Sequence, residues 1–110
     1  MSDEPNEVEQ LILLALVRLG GDAYGVPVRS EIVGRAGRSI SLAAVYAALD
    51  RMEQRGHVES WFSDPLPERG GRARKHFRVT PSGARALREA REVMLRMWDG
   101  LERHPDLEAS

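Results

Sequence analysis

Apolar residues recur along this chain at helical spacing in four stretches and at strand spacing in two. The clearest helical stretch is 41–56, where Leu42, Val45, Leu49 and Met52 fall at three- and four-residue steps and so share one face. Ser41 suits the N-cap of that helix, and Gly56 suits the position just past its last turn. The opposite side is unusual: Ala43, Ala44 and Ala47 stand where a surface helix normally carries long charged residues. Alanine is also the best helix former, so propensity alone accounts for their presence as readily as a need for close approach does.

Residues 7–19 read as an earlier helix that is apolar almost all round, with Val8, Leu11, Ile12, Leu13, Leu14, Leu16, Val17 and Leu19. One stripe is enough for a surface helix, so this one needs cover on two sides, and a second subunit is the economical source of the second cover. Residues 23–36 read as a second helix. Pro27 fits only its first turn, which sets the start near Ala23 or Tyr24. A turn at 37–40 leads into the 41–56 helix. Residues 57–62 and 75–80 read as β-strands, separated by a loop rich in proline, glycine and arginine.

The last helix opens on Thr80 as N-cap and Pro81 as first residue, and Pro105 is expected to stop it. Within it Leu87, Ala90, Met94, Met97 and Leu101 make a coiled-coil-like seam, widened by Leu95 and Trp98. Helix, turn, helix and hairpin in this order predict a mainly α fold with a small β-hairpin, a winged helix-turn-helix flanked by long N- and C-terminal dimerisation helices. The expected division is residues 1–80 for the winged domain with its N-terminal helix, 81–104 for the dimerisation helix, and 105–110 for a frayed tail. Leu11, Leu14, Leu87, Ala90, Met94, Met97, Trp98 and Leu101 are the expected interface between two copies; ordinary core is the competing reading of the same stripe.

Composition changes the picture chiefly through charge. The chain has 110 residues, the size of one domain, and a net charge of −1, which by itself does not suggest a nucleic-acid partner. The distribution does. Acids crowd both ends, whereas Arg69, Arg72, Arg74, Lys75 and Arg78 follow one another with no acid between them. A local basic patch supplies phosphate attraction over about 8–10 Å whatever the total charge. The helix at 41–56 can enter a major groove, where alanine methyls meet thymine methyls, while the basic hairpin reaches phosphates or the minor groove. The expected DNA contacts are therefore Ser41, Ala43, Ala44 and Ala47 at the groove, and Tyr24, Tyr46 and Arg51 at phosphates. Arg69, Arg72, Arg74 and Lys75 belong to the hairpin, with Gly70 and Gly71 letting it turn. Tyr24 and Tyr46 serve equally well as core tyrosines with a wet tip.

No cysteine is present, which excludes disulfides, thiolate metal sites and a cysteine nucleophile. His57, His76 and His104 lack paired carboxylates at ligand spacing, and strand histidines are more often packed than metal-bound. Gly70-Gly71 follows no strand-to-helix phosphate-loop pattern. Neither an enzyme nor a cofactor or metal is expected. The acidic N-terminus lacks the basic start of a secretory signal, and the apolar run at 11–19 is too short to span a bilayer, so a soluble cytoplasmic protein is expected.

Over roughly residues 7–101 the chain resembles the PadR-like transcriptional regulators, in particular the short subfamily with a single C-terminal helix. The most specific parts are Ser41-Leu-Ala-Ala-Val-Tyr46 running on to Gly56-His-Val58, and Gly70-Gly-Arg-Ala-Arg-Lys-His-Phe-Arg-Val-Thr80. It departs from the family pattern where Ala47 and Ala73 replace prolines, where the paired aromatics become His76-Phe77, and where a His-Gly-Tyr approach to the second helix becomes Asp22-Ala-Tyr-Gly25. The resemblance implies a homodimeric, usually repressing regulator on palindromic operators, with the first and last helices forming the dimer. It also implies a flat aromatic effector held by a tryptophan of the last helix in some members; Trp98 falls about a turn later than that tryptophan, and packing of the dimer is its plainer role. A protein-interaction adaptor that has lost DNA binding is the alternative function.

Overall fold

The structure is a computed structural model that describes residues 4–63 and 73–108. Helix α1 spans Glu7–Leu19. Its start is fixed by a reciprocal pair: the Asn6 side chain accepts from the Glu9 N–H at 2.8 Å, and the Glu9 carboxylate accepts from the Asn6 N–H at 3.0 Å. Ile12, Leu13, Ala15 and Leu16 of α1 are buried, whereas Leu14 and Val17 point outward. The outward pair is the second side that the pattern left in need of cover.

Helix α2 spans Gly25–Glu31 and continues as a wider π turn over Ile32–Ala36. It begins at Gly25 and not at Ala23 or Tyr24, because a distant element claims those two backbones. Phe77 donates its N–H to the Ala23 carbonyl at 2.8 Å, and Tyr24 forms a bridge with His76. Helix α3 spans Leu42–Gln54, and the Ser41 hydroxyl caps it by accepting from the Ala44 N–H at 3.0 Å. Val45, Leu49 and Met52 are fully buried as their spacing predicts, with Ala48 completing the inner face and Leu42 half-buried at its edge.

Strands β1 (Val58–Phe62) and β2 (Lys75–Val79) pair antiparallel, Val58 opposite Val79 and Phe62 opposite Lys75. Phe77, Val58, Met52, Leu49, Ile12 and Leu13 form the centre of the core beneath them. Helix α4 spans Pro81–Trp98 and starts on the Thr80 cap, whose hydroxyl accepts from the Gly83 N–H at 3.0 Å. Its first turn is stitched to the end of α3. The Thr80 hydroxyl donates to the Gly56 carbonyl at 2.5 Å, and the Thr80 N–H donates to the His57 carbonyl at 3.0 Å. Gly83 is the residue that permits this approach, since a Cβ there would run into the His57 carbonyl.

The C-terminal part differs from expectation in three ways. Helix α4 ends at Trp98; the chain turns at Gly100, with φ +81°, instead of running on to residue 104. Pro105 opens a short helix, α5 (Pro105–Glu108), where a stop and a frayed tail were expected. Proline suits a first helical position as well as it suits a stop. Ala90, expected between subunits, is buried by its own chain, because the first half of α4 lies against α1 and β2. Beyond Ala90 every α4 residue is exposed, and the molecule measures 58 Å in its longest dimension against 31 and 21 Å in the others.

Candidate nucleic-acid interface

Ala43, Ala44 and Ala47 are all exposed on the outer side of α3, with Ser41 exposed just before them. Four-residue steps place Ala43, Ala47 and Arg51 along one line of that face. Asp50 and Gln54 are exposed beside them and were not foreseen as members of the face. Continuing the same three- and four-residue steps past Arg51 finds Gln54. The alanine face is thus solvent-directed.

Tyr46 behaves as a core tyrosine. It is half-buried against the core, and its ring lies over Gly25, where a Cβ would strike the ring atoms. The start of α2 therefore seats directly on α3. Arg29 of α2 adds a second tie by donating from Nε to the Ile40 carbonyl at 2.7 Å, which holds the turn between the two helices.

Tyr24 and Arg74, expected as separate phosphate contacts, engage each other. The Arg74 guanidinium lies 4.5 Å from the Tyr24 ring centroid and donates from Nη1 to the Tyr24 hydroxyl. Lys75 is 3.6 Å from the Glu53 carboxylate of α3. The base of the hairpin is thereby fastened to both α2 and α3, with Arg74 and Lys75 still partly open to solvent. Arg69, Gly70, Gly71 and Arg72 lie outside the described residues. His57 and His76 are both buried; His76 stacks on Trp61 at 5.4 Å and meets Tyr24 edge-on at 5.5 Å. Among the described residues no group of three or more His, Cys, Asp or Glu could hold a metal ion.

Arg51, in the last turn of α3, and Arg55, its C-cap, project towards the N-terminus of α1, where they meet a residue that the sequence pattern did not single out. Glu9 is 1% exposed. Arg55 donates to both of its oxygens, at 3.2 and 2.6 Å, and Arg51 Nε lies 3.5 Å from Oε2. Burial alone would raise the Glu9 pKa, but the bonds and charge of Arg55, with the Asn6 N–H and Arg51, outweigh it and hold the carboxyl below its ordinary value. The local signal for Glu9 was Asn6-x-x-Glu9, a capping box at the head of an apolar helix.

Along α4, Leu87 is half-buried against the core, as is Leu11 on α1. Leu14, Met94, Met97, Trp98 and Leu101 are exposed, Met97 to 71% and Trp98 to 44%. Among the described residues no helix is long and apolar enough to cross a membrane.

A helix-turn-helix with its outer face bare, braced by a two-stranded wing, defines a winged-helix protein of the kind that regulates transcription. Residues 12–89 match the transcriptional regulator PadR-like family, and the chain belongs to that family. Solved structures agree. A PadR family transcriptional regulator from Eggerthella lenta is 27% identical, with a TM-score of 0.68, over 94% of this chain and 88% of that one. A PadR family regulator from Clostridium difficile is 26% identical, with a TM-score of 0.65, over 86% and 88%. A PadR-like regulator from Bacillus cereus, 18% identical, shares the fold with a TM-score of 0.71 over 94% and 93%. No curated protein matches the chain in sequence. The family and these neighbours are transcriptional regulators, not enzymes.

Proposed function

We propose that this regulator is a cytoplasmic, homodimeric repressor that binds a palindromic operator in duplex DNA. The observation that carries the reading is the exposed alanine face of α3 set beside the fastened base of a basic hairpin. Ser41, Ala43, Ala44 and Ala47 enter the major groove. Arg51 meets the phosphates flanking it, and Arg69, Arg72, Arg74 and Lys75 follow the backbone or the adjacent minor groove across Gly70 and Gly71.

Two copies join through the outward residues of α1, α4 and the turn after α4, chiefly Leu14, Met94, Met97, Trp98 and Leu101. A twofold axis through those helices presents two α3 helices to successive turns of the duplex, about 34–36 Å apart. In such a seam Trp98 packs between subunits. Titrating tryptophan fluorescence with planar aromatics tests it as an effector contact, and an unchanged spectrum removes that role.

Footprinting the purified protein on the region upstream of its own gene tests the main reading. A protected site with twofold symmetry and steeply salt-dependent affinity is expected. Absence of salt-dependent DNA binding would leave a winged-helix adaptor that recognises protein.

A further inference from the structure

Glu9 is the one acid among the described residues whose side chain is buried, and it sits on a helix far from the groove-facing residues in sequence. Its partners are not far. Arg51 lies one turn beyond Ala47 on the exposed line of α3, and it is 51% open to solvent. Its contact with Glu9 is made through Nε, at 3.5 Å. The two Nη groups, which form the far edge of the guanidinium plane, have no partner among the described residues. A carboxylate against its inner edge narrows the orientations of a guanidinium to those that present its outer edge. Arg55 differs: both its Nη groups are spent on the Glu9 carboxylate, and it is more buried than Arg51.

Resting on the DNA-binding reading above, we infer that Glu9 is a positioning residue for DNA recognition: it orients the Arg51 guanidinium so that its free edge meets a backbone phosphate, while Arg55 neutralises the remaining carboxylate charge. The arrangement has a physical logic. A long arginine loses much rotamer freedom when it binds phosphate, and a buried carboxylate that has already fixed its orientation lowers that cost. The second carboxylate partner keeps Glu9 ionised without drawing Arg51 fully inward. Glu9 thus joins the dimer-side helix α1 to the reading helix α3 at the point where α3 meets the backbone.

The test uses Glu9→Gln and Arg51→Ala, singly and together, with binding to a duplex from the gene's own upstream region measured against salt. Glutamine keeps the oxygen that caps α1 and puts an NH2, which cannot accept from Arg51 Nε, in place of the other oxygen, removing the charge as well. Loss of one oriented phosphate contact is expected to weaken binding about tenfold and to reduce the salt slope by roughly 0.9. Glu9→Gln should lose most of what Arg51→Ala loses, and adding it to Arg51→Ala should cost little more. Equal effects of Glu9→Gln with and without Arg51 would overturn the inference, as would an unchanged slope in Arg51→Ala.

Should Glu9→Gln fail to fold by circular dichroism, Arg51→Lys decides. Lysine has one charged nitrogen and cannot serve carboxylate and phosphate through separate edges, so binding close to that of Arg51→Ala is expected. Wild-type affinity in Arg51→Lys would overturn the inference. Wild-type protein without salt-dependent binding would instead end the DNA reading itself, so the two failures are distinguishable.

Discussion

Arg74, at the base of the hairpin, lies over the ring of Tyr24, the residue just before α2, and donates to its hydroxyl. The two are separated by fifty residues, and no local pattern joins them. The contact makes the wing and the helix-turn-helix one body. Tyr24→Phe keeps the stack and deletes the hydroxyl, with an expected loss of about 1 kcal/mol. Arg74→Ala deletes both and should cost about 2 kcal/mol, since a cation over a ring adds roughly 0.5–1 kcal/mol. Urea denaturation of the two variants measures the difference, and equal losses would mean that the stack contributes nothing.

Acid should reach Glu9 only after it has protonated most other carboxylates. Its folded pKa lies below the ordinary carboxylate value, so its contribution to stability is fully present above the unfolded pKa and is lost as pH falls through the folded one. Arg55→Ala leaves the buried charge with only the glancing Arg51 contact and should cost about 3 kcal/mol at neutral pH. In that variant the acid side of the stability profile should flatten. Thermal melts from pH 7 down to pH 3 read both effects.

Gly83→Ala should destabilise the protein by about 3 kcal/mol, because the new methyl meets the His57 backbone carbonyl and no side chain can swing aside. The melting temperature is the measurement. A neutral outcome would mean that the joint between α3 and α4 yields freely.

Ala47→Glu places a carboxylate on the exposed line of α3. Operator binding should disappear while the melting temperature and the oligomeric state stay as in the wild type. Normal gel shifts by this variant would remove α3 as the reading element.

Met97 is the most exposed apolar residue of α4, so Met97→Asp should leave the single chain folded. A buried methionine contributes roughly 1.5–3 kcal/mol, and a charge in its place costs more. Sedimentation velocity should show the dimer shifting to monomer, with operator affinity falling in parallel.

Much of this molecule is legible in its sequence because its signals are local. Ser41 and Gly56 bound α3 within a residue or so, Thr80 and Pro81 open α4, and the apolar steps of α3 name its buried face. The misreadings fall where distant chain decides. Ala23 and Tyr24 look helical beside Pro27, but β2 claims their backbones for pairing. Ala90 fits the seam of α4, yet the lean of that helix against α1 and β2 covers it. Glu9 reads as one polar residue in a greasy helix until Arg51 and Arg55, more than forty residues later, come to it. Arg69 and Arg72 of the expected hairpin tip lie outside the described residues.

The stitch between Thr80 and the end of α3 turns α4 into a lever. Its 18 residues run about 27 Å from the joint of Thr80, Gly56 and His57, the first half seated on α1 and β2 and the second half clear of the body. A tilt of about ten degrees of α4 together with the body it is seated on carries the far tip by roughly 5 Å. In the proposed dimer, anything that splays or closes the paired arms would therefore alter the gauge of the two reading heads, with no need to touch the heads themselves.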